Sequence, residues 1–142
     1  MNIYQQIYKR LEEILGDLEH LPESAKMKAK GYMDLNMDLL SQGKDKIVIA
    51  LSHYYKHPSG DMIADPDMEI RIIPAMKSAE ALAYQDTYGY KRVYWVDNGQ
   101  KMYSPSEKKS QNSFLLFWLK NLKAQGFKRE PLQLLKEVSD VQ

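Results

Sequence analysis

The chain has 142 residues, 44% of them hydrophobic and 27% charged, with no cysteine and a formal net charge of +1. That length suffices for one domain burying roughly 68–70% of its unfolded surface, and the missing cysteines exclude a disulfide framework, a thiol nucleophile and Cys-ligated zinc or iron–sulfur centres. The longest apolar runs, such as Phe114 to Leu119, fall far short of the ~18 residues that span a bilayer, and Gln5, Gln6, Lys9 and Arg10 do not read as a secretory leader, so the expected setting is a reducing cytoplasm.

Ile3, Ile7, Leu11, Ile14, Leu15 and Leu18 recur at three- and four-residue spacings, which predicts an amphipathic helix over about 3–19, ended by Pro22. From Tyr32 the period becomes two. Met33, Leu35, Met37 and Leu39 share one face of a strand, a turn at Ser41 to Asp45 follows, and Ile47, Ile49 and Leu51 mark the second strand, over 46–55. The turn His57-Pro58-Ser59-Gly60-Asp61 leads to a third strand, Asp67 to Ile73. Residues 78–86, with Ala79, Ala81 and Ala83, suit a strand or a short helix and are assigned to a strand. Tyr90 to Asp97 and Gln100 to Tyr103 flank Asn98-Gly99, the strongest short hairpin signal in the chain.

Ser104-Pro105-Ser106-Glu107 predicts a helix over about 105–125, with an N-cap hydroxyl, a proline at the first helical position and a glutamate to close a capping box. Phe114, Leu115, Trp118, Leu119 and Leu122 form its stripe, Gly126 its left-handed cap, and a short helix over about 131–139 carries Leu132, Leu135 and Val138. The expected fold is therefore α+β in one domain, residues 1–142: an antiparallel meander of four to six strands within about 32–103, with an N-terminal and a long C-terminal helix packed on one face.

Chemistry-bearing residues concentrate between His53 and Glu69, where two histidines and four acids accompany Tyr54 and Tyr55. His53 and His57 flank a turn and could converge with Asp61, Asp65 or Asp67 on a divalent ion, but the spacing matches neither a calcium loop nor a His-Glu-x-x-His device. His53 also alternates with Ile47, Ile49 and Leu51, which places it on the core-facing side as a hydrogen-bonded histidine. A role as general base would need an orienting carboxylate, for which Asp61 and Asp65 are nearest. No Gly-x-Ser-x-Gly elbow surrounds Ser52, and no phosphate-cradling loop or dinucleotide fingerprint is present.

Residues 1–100 carry 12 basic against 15 acidic side chains, whereas residues 101–142 carry 8 against 4. Lys108, Lys109, Lys120, Lys123, Lys128 and Arg129 could meet phosphates, with Tyr90, Tyr94 and Tyr103 stacking on bases, although the near-neutral whole argues against strong nucleic-acid affinity. Ten tyrosines favour recognition surfaces instead.

Gly31-Tyr32-Met33, Leu51 to Tyr55, Gly60 to Glu69 and Phe117 to Phe127 together resemble a YqiB-like family of small bacterial and mobile-element domains of unknown function. Asp65 to Glu69 and Trp118 to Phe127 are the most specific parts of the likeness. The resemblance implies a cytoplasmic bacterial or mobile-element protein of one domain and brings no activity, cofactor or catalytic residue. It directs attention to His53, Tyr54, Tyr55, Asp61, Asp65, Asp67 and Glu69, to which His57 is added from the turn. The expected role is a non-enzymatic accessory or protein-interaction domain without cofactor or metal. The alternatives are a metal- or small-ligand-binding protein or metal-assisted hydrolase using this region, and a weak nucleic-acid binder using the basic C-terminal helices.

Overall fold

The computed structural model describes residues 1–130; the short helix expected over 131–139 lies outside the described residues. Helix α1, Ile3–Leu15, starts at a capping box in which the Asn2 side chain accepts from the Gln5 backbone N–H and the Gln5 side chain accepts from the Asn2 N–H. It is shorter than the expected 3–19 because Gly16, at φ 80°, leaves the helical region. Leu18 still reaches the core, now from a loop. The freed carbonyls at the helix end have distant partners: the Arg129 backbone N–H donates to Ile14 O and its Nε to Leu15 O, at 2.7 and 2.6 Å.

Six antiparallel strands follow in meander order: β1 Ser24–Met27, β2 Leu35–Gln42, β3 Ile47–Lys56, β4 Met62–Ile73, β5 Ser78–Asp86 and β6 Gly89–Arg92. The short β1 was not expected, since Ser-Ala-Lys-Met contains no β-branched or aromatic residue and owes its strand to pairing with β2. β2 begins later than predicted, so Met33 precedes it and is exposed rather than sharing the face of Leu35 and Met37. Ser41 and Gln42 extend the strand, and the turn narrows to Gly43–Lys46. β4 is longer than the predicted 67–73, and 78–86 is the strand it was assigned to be.

The run Tyr90 to Asp97 divides at Val93 into two strands of different sheets. β6 pairs with β5, whereas β7, Tyr94–Asp97, pairs among the described residues only with β8, Gln100–Tyr103, around Asn98-Gly99, both at positive φ. Val93 is fully buried, and its backbone is tied on both sides, its N–H to Leu82 O and its carbonyl to the Ser104 N–H. That last bond also explains why the capping box predicted for α2, Pro105–Gln125, is half made. The Ser104 hydroxyl accepts from the Glu107 N–H as expected, but the Ser104 N–H is already committed and the Glu107 carboxylate accepts from Gln111 instead.

The two helices run side by side in the same direction, with Tyr4 beside Lys108, Glu13 paired with Lys123, and Leu15 O bound by Arg129. Ile7, Leu11 and Ile14 of α1 and Leu115, Leu119 and Leu122 of α2 pack on Leu35, Met37, Ile49, Leu51, Met68, Ile70 and Ile72 of the sheet. All of these belong to one face, because alternate side chains of a strand point opposite ways. Neither described helix crosses the other face.

Candidate functional site

The uncovered face collects the alternate residues. Three bulges or register shifts, at Leu39/Ser41, Ser52/Tyr54 and Glu69/Ile70, bend the strands and adjust which residues meet. Across the centre, Ser52 pairs with Asp67 and Asp67 with Gln85; one row on, Ala50 pairs with Glu69 and Glu69 with Ala83. On β6, Tyr90 stands opposite Gln85.

Small residues on the middle strands and large ones around them make the surface concave. Ala50 and Ala83 form the floor of a cavity of about 230 Å³ that Leu40, Gln85, Tyr90 and the two carboxylates Asp67 and Glu69 enclose. The Tyr54 hydroxyl donates to Asp67 Oδ2 at 2.5 Å, and the Tyr90 hydroxyl to Glu69 Oε2 at 3.2 Å. The hydrogen bond to Asp67, then burial and the nearby negative charges of Asp67 and Asp38, push the Tyr54 hydroxyl up to about 12. Burial, followed by the charge of Glu69 and the hydrogen bond to it, raises Tyr90. Both tyrosines are therefore neutral donors near pH 7, and neither is poised as a nucleophile or base. The face offers rigid rings beside negative charge, a combination that receives cations and hydrogen-bond donors.

Of the residues singled out from the sequence, Tyr54, Asp67 and Glu69 meet here. The others do not. His53 faces the helices, as its alternation predicts; its Nδ1 lies 2.9 Å from Asp34 O, and its ring packs between Trp118 and Phe127. His57 stays in the exposed β3–β4 turn, where its Nδ1 accepts from the Ser59 N–H. Asp61 and Asp65 are exposed, and the Tyr55 hydroxyl reaches Thr87 Oγ1 of the β5–β6 turn. His53, His57 and the acids thus do not converge on one ion. Among the described residues, no group of three or more His, Asp or Glu side chains is arranged to hold a metal.

Three of the six cations considered for phosphate binding are engaged within the protein. The Lys108 ammonium sits 5.6–5.8 Å from the ring centres of Tyr4, Tyr94 and Tyr103, Lys123 pairs with Glu13, and Arg129 bonds Leu15 O. Lys109, Lys120 and Lys128 are exposed.

Sequence reasoning did not assign Asp38, Gln85 or Leu40 to the site, and considered Tyr90 only as a base-stacking ring. Strand alternation places each on a face, but bringing β2 and β6 residues to Asp67 and Glu69 on β4 requires the pairing across the intervening β3 and β5.

The model of a family described as a domain of unknown function (DUF6908) matches residues 3–128, and the chain belongs to that family. No curated protein and no solved structure matches the chain. No helix among the described residues is long and apolar enough to cross a membrane.

Proposed function

We propose that this member of the DUF6908 family is a non-enzymatic accessory module that binds a partner protein through its uncovered sheet face, where Tyr54, Asp67, Glu69 and Tyr90 receive a basic segment of that partner. The observation that carries the reading is the pairing of each tyrosine hydroxyl with a carboxylate around one shallow cavity. A lysine or arginine of the partner gains both a charge-assisted hydrogen bond and an aromatic face there. Rigid rings supply contact area with little loss of side-chain entropy, which suits recognition.

A non-enzymatic role is supported by the residues the site lacks. His53 is turned to the opposite side of the sheet, and the two tyrosines hold their protons, so among the described residues neither a histidine base nor an activated tyrosine nucleophile stands beside the cavity. The resemblance to YqiB-like domains supports a bacterial or mobile-element origin, and a chain with no cysteine is suited to the reducing cytoplasm.

Fluorescence polarisation with arginine- and lysine-rich peptides, against an acidic control, tests the reading. Saturable binding of the basic peptides is expected, weakening as salt rises and lost in the Asp67→Asn/Glu69→Gln double variant whose circular dichroism is unchanged. No binding of any basic peptide, or equal binding by the double variant, overturns it.

A further inference from the structure

A second concavity lies on the helix side of the sheet, between the β5–β6 turn and the first half of α2. Its volume is about 350 Å³, at the lower end of small-molecule sites, which suits a ligand of one or two fused rings. Tyr84, Tyr88, Lys91, Glu107, Gln111 and Phe114 line it.

One wall is aromatic. Tyr84 and Phe114 meet edge to face, with centroids 5.4 Å apart, and the Tyr84 hydroxyl is engaged by Asp86 Oδ2, so the ring rather than the hydroxyl is available to a ligand. Tyr88 stands at the rim on the turn, 96% exposed, while its backbone N–H is held by Asp86 Oδ1. A large ring so fully in water gains by folding onto a flat ligand.

The opposite end is rich in acceptors. Gln111 is 3% exposed, and its Nε2 donates to Lys91 O and Glu107 Oε1, which fixes the amide orientation. Its Oε1 is then a buried acceptor with no partner among the described residues. Such a group is costly to leave unpaired, and because solvent does not reach it, a ligand's donor pairs with it once the Gln111 amide turns toward the cleft. The second oxygen of Glu107 is held only loosely, 4.0 Å from the Lys91 ammonium, and adds another acceptor. Two carboxylates, Asp86 and Glu107, against one lysine disfavour a phosphate in the same space.

We propose that this cleft binds a planar heterocycle bearing N–H donors, of the purine nucleoside class, with its ring on the Tyr84, Phe114 and Tyr88 side chains and its donor edge toward Gln111 and Glu107. The inference is independent of the sheet-face reading, from which the six-stranded sheet separates it.

Guanosine titrated into the full-length protein and followed by two-dimensional NMR is the test. The Gln111 side-chain amide and the Gly89 backbone amide should shift saturably with a dissociation constant of about 1 mM or lower. Tyr88→Ala, which removes an exposed ring and leaves the fold intact, should weaken binding about ten-fold, and Gln111→Leu should weaken it as well. Toluene, an arene without an N–H donor, should leave both signals in place. The proposal is overturned by no saturable response to guanosine, by equal affinity in Tyr88→Ala, by toluene binding as tightly, or by a response to a single-stranded oligonucleotide alone.

Discussion

The two faces of β4 differ in everything but their backbone. Met68, Ile70 and Ile72 point toward the helices and are wholly buried, while the intervening Asp67, Glu69 and Arg71 are half-buried on the uncovered side, where they meet Tyr54, Tyr90 and Glu80. A shift of one residue along the strand thus separates a side chain that holds the fold together from one that can meet a partner. Because the two sets point apart, the effects of changes on the two faces should be close to additive.

The sharpest test of that separation is at neighbouring positions. Ile70→Ala should lower stability by about 2–5 kcal/mol in urea denaturation, since it empties space between the sheet and the helices that close packing cannot refill. Comparable losses from outward substitutions on the same strand would break the comparison.

A smaller but distinct effect belongs to Asn112 on α2, which is 2% exposed. Its Oδ1 accepts from the Ala81 N–H at 2.8 Å, beside the register shift in β5, and its Nδ2 donates to Lys108 O. Asn112→Ala strands a buried backbone donor and should cost about 1–3 kcal/mol, with faster hydrogen exchange at the Ala81 amide. An unchanged exchange rate there would show that the inner face does not depend on this tie.

On the outer face, Tyr54→Phe should cost under about 1 kcal/mol near pH 7. Its signature is in alkali. The folded-state value of the Tyr54 hydroxyl is raised from about 10 to about 12, so its contribution is complete below pH about 10 and is lost as the pH climbs through about 12. Wild-type stability should accordingly fall more steeply across that window than the variant's. Parallel pH profiles would remove the Tyr54–Asp67 bond from the account.

The smallest expected change in stability comes from Asp67→Asn with Glu69→Gln, within about 0.5 kcal/mol of wild type, although the pair should abolish binding of basic peptides. A large loss of stability would make these carboxylates structural and erase the division between the faces.

Much of the fold was legible because its signals are local. Ser104-Pro105 started α2 where the hydroxyl and the preset proline predicted, Gly126 ended it in the left-handed region, and Asn98-Gly99 turned the hairpin. Gly16 also carried a local signal, a helix-ending glycine inside an apolar stripe that continued to Leu18. β1 and the division at Val93 were not legible, since one depends on a neighbouring strand and the other on which sheet each half joins.

The site was legible in part. Tyr54, Asp67 and Glu69 lie on adjacent strands of a hairpin whose turn the sequence marks, so their meeting follows from local pairing. Tyr90 reaches Glu69 from a strand on the far side of β5, 21 residues away.

By itself the sequence determined the α+β layout and the two-residue alternation that sorts apolar from polar side chains, and it left open whether His53 faces the core or a cleft. These follow from repeat spacing and from residues with restricted backbone angles, which act within a few residues of themselves. Only the tertiary structure decided that His53 and His57 stand apart from Asp67, that both described helices cover the same face, and that the two carboxylates bonded by tyrosines from β3 and β6 line one cavity. Strand order and bulge position set those distances, and both are settled by packing between segments far apart in the chain.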